Sequence, residues 1–476
     1  MINFAQYILD KSQQYPEKIA MNDGIDILYY GDLKSKISQV VNGITNFGIK
    51  KNDHVIICLD DCVDWPIIFF ACLHQGIVPL PLSPATPKDL FLEIADFIEC
   101  KAIFINDRST SQSASTRLTV SRSMIQSFYI REPKYTPCVM SHPDAVAYMN
   151  VSSGSTGMPK VAVHRHQTLF EILKLSPLLS FGMTHDSIIL STPKMSWNYG
   201  LQNSVTYTFG LGATAIVIPQ LPVASVVFEY INQFKPNIVI SSPSIIRRLL
   251  APKVNHFTLP DSIKHFNSSG EHLPSNLYDA FKKRFGITLS SCIGMMETCT
   301  NYAANSDFEH DPGTVGRPLP GCKIKLVDNE IYVSSPANAC YYYKNFKKTK
   351  QTFIGEWIKT GDKGHFNENG NLIFDGRLDD IYKVNDLIVS PIEIEDQILK
   401  DATVDQVAVT GIKNEKGVTE THAFIIPGYD FDQKRLQESL ISYLLPHQLP
   451  RHWHIVQSLP ETNNNKKTRK LLANFN

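Results

Sequence analysis

The chain has 476 residues, 43% of them hydrophobic and 19% charged, which is enough for at least two hydrophobic cores. Lys and Arg total 46, as do Asp and Glu, and this balance disfavours a nucleic-acid or anionic-lipid partner. The nine scattered cysteines contain no CxxC pair, which disfavours a disulfide framework or structural zinc site and favours a reducing compartment. Without an apolar run of about 20 residues, we expect no membrane insertion and a cytoplasmic location.

The first hundred residues alternate between helix-like and strand-like patterns. An amphipathic segment covers residues 4–14, an apolar run begins at His54, and a longer one begins at Trp65. This alternation predicts helices packed on sheets. Residues 108–123 are rich in Ser and Thr and carry almost no large apolar side chain, so we predict a surface loop there.

The middle of the chain continues the same rhythm. Apolar strand candidates at 187–190, 213–218 and 237–242 are separated by helix-length segments, which predicts a large mixed α/β body. Near residues 377–380 a strand-like pattern gives way to charged residues and then to a new series of elements. We therefore predict a first domain at 1–378 and a second at 379–476.

The segment SSGSTGMPK at residues 152–160 has the composition of a phosphate-binding loop. Its glycines permit tight turns, its hydroxyls and backbone N–H groups can surround phosphates, and Lys160 adds a positive charge. Val161 follows the lysine, so the segment is not the GxxxxGK[ST] loop of P-loop NTPases. An ordinary Ser/Gly surface turn is the alternative interpretation.

This segment resembles the signature of the adenylate-forming superfamily, which contains acyl-CoA synthetases, peptide-synthetase adenylation domains and luciferases. Similar motifs follow in the family's order: SSGEHLP at 268–274, IGMMET at 293–298, WIKTGD at 357–362, GRLDDIYKV at 376–384 and LPETNNNKKTRK at 459–470. Three further segments look most like benzoate-CoA-ligase-like members: KMSWNYGL at 194–201, GTVGRPLPG at 313–321 and VSPIEIE at 389–395.

The resemblance implies an α/β fold and a two-step reaction. The expected fold is a large multi-layer N-terminal domain, with α/β sheets and a β-barrel-like part, followed by a small mobile α+β C-terminal lid domain. The expected reaction uses ATP and Mg²⁺ to convert a carboxylic acid into an acyl-adenylate, and then passes the acyl group to a thiol, most often CoA. A stand-alone enzyme that loads a phosphopantetheinyl carrier protein and a catalytically weak nucleotide-binding relative are the alternatives.

The resemblance also implies the nucleotide site. Glu297 matches a Mg²⁺-binding carboxylate, and Lys466 matches the C-terminal catalytic lysine, with Lys467 as a competing register. With Lys160 these residues form the expected catalytic set. The implied nucleotide-binding residues are Ser152, Ser153, Gly154, Ser155, Thr156, Gly157, Lys160, Gly270, Glu271, His272, Ile293, Gly294, Met296, Asp362 and Arg377.

The predicted acyl pocket is aromatic and lacks an acidic side chain that would hold a substrate amine. A neutral acid, aromatic or small and apolar, is expected; two aromatic rings favour a flat acid of the benzoate or cinnamate type, although core packing is an alternative role for both. The implied pocket residues are Trp197, Asn198, Tyr199, Ser269, Gly294 and Cys299.

Three positions bear on the second half-reaction or depart from the family pattern. Asp379 matches the family's hinge residue. Met296 stands where relatives have a threonine, and a thioether cannot donate a hydrogen bond to phosphate. Asp386 stands where relatives have a glycine lining the thiol tunnel, so it adds bulk and negative charge there.

Overall fold

The structure is a computed structural model that describes residues 1–107, 117–151, 159–251, 254–305, 311–401, 403–415 and 417–460, together with Arg469 and Leu472. Tyr30–Asp32 forms a 3₁₀ turn and Gln202–Tyr207 a π-helix. The α-helices are α1 Phe4–Ser12, α2 Leu33–Asn46, α3 Asp64–Gln75, α4 Lys88–Phe97, α5 Arg122–Phe128, α6 His166–Leu175, α7 Pro177–Phe181, α8 Asn198–Leu201, α9 Thr208–Leu211, α10 Ala224–Phe234, α11 Pro243–Leu249, α12 Ser275–Phe285, α13 Phe346–Thr352, α14 Pro391–Ile398 and α15 Gln433–Leu440.

The strands are short and are distributed along the whole chain. They are β1 Ile19–Asn22, β2 Ile27–Tyr29, β3 His54–Cys58, β4 Val78–Pro81, β5 Ala102–Ile105, β6 Leu118–Ser121, β7 Val146–Val151, β8 Val161–Arg165, β9 Ile188–Ser191, β10 Thr214–Val217, β11 Ile238–Ser241, β12 His265–Ser268, β13 Leu289–Gly294, β14 Asn301–Ala304, β15 Arg317–Pro318, β16 Lys323–Val327, β17 Glu330–Ser334, β18 Tyr341–Tyr342, β19 Phe353–Ile354, β20 Trp357–Phe366, β21 Leu372–Arg377, β22 Tyr382–Val384, β23 Leu387–Val389, β24 Val404–Lys413, β25 Thr419–Pro427 and β26 His452–Ile455.

A nine-stranded sheet in the order β15-β14-β13-β12-β11-β9-β10-β1-β2 forms the centre of the larger part of the molecule. Its inner pairs, from β13 to β1, are parallel. Parallel strands are covered on both faces, which explains why β9, β10 and β11 appear in the sequence as nearly continuous apolar runs. The three strand predictions in this region are confirmed.

Three further sheets complete the larger part. A parallel sheet has the order β4-β3-β5-β6, and an antiparallel one has the order β18-β8-β7. The third is antiparallel and joins β16, β17, β20, β19 and β21. The loop predicted for residues 108–123 is wrong at its end, because β6 pairs with β5 and α5 begins at Arg122; residues 108–116 lie outside the described residues.

The smaller part follows β21 and has its own hydrophobic core. One face of the sheet β24-β25-β26 packs with α14 and α15 through a cluster that includes Val407, Val409 and Ile425. On the opposite face, Leu459 and Leu472 pack on Ala408 and Phe424. The predicted boundary at residue 378 remains a prediction.

Arg469 fixes the end of the chain to the beginning of this smaller part. Its guanidinium lies 2.7 Å from the carboxylate of Glu395 on α14 and 2.9 Å from that of Asp380. Glu395 also accepts a hydrogen bond from the backbone N–H of Val409. The three ionic side chains are largely shielded from solvent, so removal of Arg469 leaves both carboxylates without their cation.

All nine cysteines lie within the described residues, and all are free thiols. Seven are buried, whereas Cys138 and Cys340 are partly exposed. Burial raises the pKa of several thiols, including those of Cys58 and Cys299, to about 12. The prediction of unpaired cysteines is confirmed. Across the described ranges, each helix is too short or too polar to span a bilayer.

Candidate active site

The predicted phosphate loop joins two neighbouring antiparallel strands. Val151, the last residue of β7, pairs with Val161, the first residue of β8, so both ends of the connecting segment are held together. Lys160 immediately precedes β8. The other loop residues predicted to bind the nucleotide lie outside the described residues: Ser152, Ser153, Gly154, Ser155, Thr156 and Gly157.

Lys160 lies beside the predicted Mg²⁺-binding carboxylate. Strand β18 pairs with β8 so that Tyr342 is opposite Ala162, and the Lys160 Nζ atom is 5.6 Å from the centre of the Tyr342 ring. The hydroxyl of Tyr342 donates a hydrogen bond to Glu297 Oε1. The register of β8 and β18 therefore places an ammonium, a phenol and a carboxylate together.

The charge of Glu297 affects the pKa of Lys160 and that of Tyr342. Burial lowers the pKa of Lys160, and the negative charge of Glu297 opposes that shift. Burial also raises the pKa of Tyr342, and Glu297 raises it further, so Tyr342 stays a neutral donor. Only 5% of Glu297 is exposed, and among the described residues no Lys or Arg forms an ion pair with it.

A second acid lies at the next sheet. Asp362 on β20 pairs in register with Arg377 on β21, and Arg377 Nη1 is 2.8 Å from Asp362 Oδ1. Asp362 is the first cause of the raised pKa of Arg377, and Glu297 contributes to the same shift. The positive charge of Arg377 in turn lowers the pKa of Lys160. The structure thus brings Lys160, Glu297, Asp362 and Arg377 into one cluster of charges.

The segment expected to line the adenine follows β12 at the carboxyl end of the central sheet. The neighbouring strand β13 is parallel to β12 and ends at Ile293 and Gly294, so both predicted segments reach the same edge. This edge is where open α/β sheets commonly bind ligands. A Cβ atom on Gly294 would lie 2.6 Å from the carbonyl oxygen of Thr300, so only glycine fits there.

Gly270, Glu271 and His272, which follow Ser269 after the end of β12, have different surroundings. Gly270 has a φ of +89°, a conformation that favours glycine. The carboxylate of Glu271 accepts a 2.6 Å hydrogen bond from Ser244. His272 Nε2 is 2.9 Å from Asp396 on α14, so His272 also contacts the smaller part of the molecule.

Met296 has mainly apolar neighbours. It packs against a cluster formed by Ala162, Ala339 and Tyr342. Its predicted contact with the nucleotide remains a prediction. Lys466 and the competing Lys467 lie outside the described residues, so the catalytic role of Lys466 also remains a prediction.

Two of the predicted acyl-pocket residues, Asn198 and Cys299, come together at the start of α8. Asn198 Nδ2 donates a 2.9 Å hydrogen bond to the backbone oxygen of Cys299, and Cys299 is fully buried with a φ of +64°. Ser269 donates to the backbone oxygen of Cys292 at 2.9 Å. Trp197 precedes the helix in an extended conformation, and burial raises the pKa of Tyr199. Asn198 and Cys299 are therefore in direct contact.

Sequence reasoning missed two polar neighbours of this pocket. Tyr148 Oη is 3.1 Å from Cys299 Sγ, and Gln202 Nε2 donates to Tyr148 Oη at 3.0 Å and to Asn198 Oδ1 at 3.1 Å. One signal was available for Gln202, because it lies four residues after Asn198 and so one helical turn away. Tyr342 was missed as well, and the run of three tyrosines around it gave no indication of which one faces Glu297.

The two residues predicted to serve the second half-reaction lie in turns after β21. Asp379 is between Arg377, which contacts Asp362, and Asp380, which contacts Arg469. Asp386 is exposed in the two-residue turn between β22 and β23, with a φ of +64°. Their roles as hinge and thiol-tunnel residues remain predictions.

Family models match both parts of the chain. The model for the AMP-binding enzyme covers residues 9–343, and the model for the AMP-binding enzyme C-terminal domain covers residues 393–466. The chain belongs to the AMP-binding enzyme family. The family resemblance inferred from the motifs is confirmed.

Relatives within this family act on aromatic acids. The chain is 29% identical to the 4-hydroxybenzoate–CoA/benzoate–CoA ligase of Rhodopseudomonas palustris, over 96% of this chain and 90% of that protein. It is 27% identical to the benzoate–CoA ligase of Thauera aromatica, over 92% and 89% respectively. The expected likeness to benzoate–CoA ligases is confirmed.

The fold also matches solved members. The anthranilate CoA ligase AuaEII, solved in complex with anthranoyl-AMP, gives a TM-score of 0.94 at 23% identity, over 99% of this chain and 97% of that one. A benzoate CoA ligase from Burkholderia xenovorans LB400 gives 0.92 at 24% identity, over 99% and 100%. The predicted α/β fold, with a large first part and a small second part, is confirmed.

Proposed function

We propose that this protein is an AMP-forming aryl acid–CoA ligase. The observation that carries the proposal is the cluster of Lys160, Glu297, Asp362 and Arg377, which lies in an AMP-binding enzyme fold. The residues predicted to line the acyl pocket include no acid. The named relatives, which ligate benzoate or hydroxybenzoate to CoA, support the same activity.

In the first half-reaction a carboxylate oxygen of the acid attacks the α-phosphorus of ATP, and the bond to pyrophosphate breaks. Both reactants are anions, so the site must stabilise negative charge that concentrates in the transition state. Lys160 supplies one positive charge, and we assign Lys466 a second. The buried Glu297 carboxylate suits a Mg²⁺ ion, which takes one or two carboxylates together with phosphate oxygens.

The nucleoside has a separate set of candidate contacts. The Asp362 carboxylate carries two acceptor oxygens, which suits the two hydroxyls of a ribose. Arg377 holds that carboxylate by an ion pair and adds positive charge near the phosphates. Gly270 and Ile293, at the ends of two adjacent parallel strands, are assigned to the adenine.

In the second half-reaction the thiol sulfur attacks the carbonyl carbon of the acyl-adenylate, AMP leaves, and the thiol proton passes to solvent. We assign CoA as the thiol because the similar proteins are CoA ligases. A carrier protein bearing phosphopantetheine presents the same pantetheine thiol. The experiment below distinguishes transfer to CoA from transfer to a carrier protein.

The test is ATP–pyrophosphate exchange with a panel of aromatic, short-chain and amino acids, followed by thioester detection with CoA and with a carrier protein. We expect exchange with aromatic acids and thioester with CoA. Absence of exchange with every acid would overturn the proposal. If a thioester forms with the carrier protein and not with CoA, the acceptor is the carrier protein.

Lys466→Ala separates the two halves of the reaction. We expect exchange to fall below detection, because the lysine neutralises charge at the α-phosphate. Thioester formation from a supplied acyl-adenylate should remain largely intact, since the proposed rotation of the smaller part takes the lysine out of the site for that step. Lys467→Ala is the matched control for the neighbouring register. Equal loss of both steps in Lys466→Ala contradicts its assigned role.

A further inference from the structure

One buried polar atom, Gln202 Oε1, lies in the side chain that donates to the predicted pocket residue Asn198, and the reaction described above assigns it no role. Gln202 is 2% exposed, and its Oε1 atom has no hydrogen-bond partner among the described residues. We propose that Gln202 selects an aromatic acid whose ring carries a hydrogen-bond donor, a hydroxyl or an amino group, and accepts that hydrogen bond through Oε1. This inference rests on the proposed function and concerns which acid the pocket prefers.

The orientation of the Gln202 amide is fixed by its neighbours. The backbone oxygen of Cys299 can only accept, so the amide nitrogen of Asn198 must face it at 2.9 Å. The Oδ1 atom of Asn198 therefore points toward Gln202 and accepts from Gln202 Nε2 at 3.1 Å. Asn150 donates to the same Oδ1 atom at 3.2 Å. This chain of constraints leaves Oε1 as the unused end of Gln202.

The donors of the network are already in use. One N–H of Gln202 is directed to Asn198, and the other is 3.0 Å from the oxygen of Tyr148. Because Tyr148 accepts there, its own proton is available to Cys299 Sγ at 3.1 Å. The group in this network that remains available to a ligand is therefore a hydrogen-bond acceptor, the Oε1 atom of Gln202. A ring-borne donor satisfies it, whereas an unsubstituted ring leaves a buried acceptor without a partner.

The local backbone gives Gln202 its position. It is the first residue of the π-helix Gln202–Tyr207, which follows α8 directly, and all six residues of that π-helix are buried. Segments of π-helix are rare and occur frequently at functional sites. The predicted pocket residue Asn198 lies at the start of α8, so Gln202 belongs to the same continuous stretch of helix.

The experiment compares matched acids. Initial rates of pyrophosphate release would be measured with benzoate and with the hydroxy-, amino- and methoxybenzoates substituted at the ortho, meta and para positions. A methoxy group keeps the oxygen of the hydroxyl group but carries a methyl group in place of the proton, so it cannot donate a hydrogen bond. At the preferred position we expect kcat/KM for the hydroxy or amino acid to exceed that for the methoxy acid at least tenfold, which corresponds to about 1.4 kcal/mol.

The second arm changes the residue. In Gln202→Leu the ratio of the two kcat/KM values should fall toward one, because leucine offers no acceptor. Gln39→Leu is the matched control, since Gln39 lies on α2 and donates to surface carbonyl oxygens far along the chain from the pocket. Comparing kcat/KM for the hydroxybenzoates with kcat/KM for the aminobenzoates in the wild-type protein distinguishes the hydroxyl donor from the amino donor.

Each result has a defined meaning. Equal kcat/KM for the hydroxy, amino and methoxy acids in the wild-type protein overturns this inference and leaves the ligase activity in place. A wild-type preference that persists in a folded Gln202→Leu variant also overturns the role of Gln202. If that variant does not fold, the wild-type comparison still decides between preference and none. Absence of activity with every acid overturns the proposed function instead.

Discussion

At the scale of single residues, the contact between Tyr342 and Glu297 gives the first prediction. Tyr342→Phe keeps the ring beside Lys160 and removes the hydrogen bond to the carboxylate. A hydrogen bond to a charged group contributes about 1.5–3 kcal/mol, so we expect exchange to slow about tenfold or more and to require more Mg²⁺. A Mg²⁺ titration of the exchange rate measures both effects.

The neighbouring tyrosine supplies the control for that variant. Tyr341 is exposed on the same short strand, and Tyr341→Phe removes a hydroxyl without touching Glu297. Its exchange rate and Mg²⁺ requirement should match those of the wild-type protein. Equal slowing in both variants would show that the loss comes from the strand and that the Tyr342 hydroxyl does not support Glu297.

The charged residues of the site were accessible from the sequence because each lies in a short continuous motif. Glu297, Asp362 and Arg377 were all located in this way, and the structure brings them together with Lys160. Tyr148 and Gln202 were not, because their contacts with each other and with Cys299 join positions far apart in the chain. The position of a residue in a motif predicts that it belongs to the site. Its hydrogen-bond partners depend on how distant segments of the chain pack together.

At the scale of elements, the hairpin of β22 and β23 gives the next prediction. Its turn residues Asn385 and Asp386 have φ values of +50° and +64°, which glycine adopts without strain. Asp386→Gly should therefore leave the free energy of unfolding unchanged within about 1 kcal/mol. If the carboxylate crowds the approaching thiol, thioester formation from a supplied acyl-adenylate should become severalfold faster.

Asp386→Asn separates charge from size in the same turn. Asparagine tolerates the left-handed conformation and has nearly the shape of aspartate. A gain in both variants assigns the effect to charge, and a gain in the glycine variant alone assigns it to bulk. Unchanged thioester rates in both variants would remove Asp386 from the path of the thiol.

The limits of sequence reasoning at this scale are clear in residues 117–123, the described part of the predicted loop. Their polar composition indicated a loop, yet Leu118–Ser121 forms a strand and Arg122–Phe128 a helix. The strand is stabilised by parallel pairing with Ala102–Ile105, and Ser121 caps the helix by accepting from the backbone N–H of Met124. Serine thus acted as a helix start, a role that composition alone does not distinguish from a loop.

At the scale of the whole molecule, Asp379 lies between two anchored neighbours. Arg377 is tied to Asp362 in the larger part, and Asp380 is tied to Arg469 at the end of the chain. A rotation of the smaller part would concentrate backbone change at the two residues between them, Leu378 and Asp379. The N–H of Leu378 also donates to the carbonyl oxygen of Gly361 in the larger part, which leaves Asp379 as the candidate. We predict that Asp379→Pro slows at least one half-reaction tenfold or more, because proline restricts φ.

The two half-reactions are measured separately, exchange for the first and thioester formation from a supplied adenylate for the second. Asp379→Ala is the control, since it removes the carboxylate and keeps backbone freedom. Normal rates in the alanine variant with loss in the proline variant would assign the effect to the backbone. Normal rates in both would remove Asp379 from the hinge role.

The state of the cysteines makes such a rotation observable. Maleimide dyes react with thiolates, and burial holds the pKa of native thiols such as Cys58 and Cys299 near 12, far above neutral pH. The partly exposed Cys138 and Cys340 also have raised pKa values. One exposed cysteine introduced on the larger part and one on the smaller part would therefore react before the native cysteines. A pair of fluorescent dyes on these two cysteines could report the distance between the two parts during turnover, without replacement of any native cysteine.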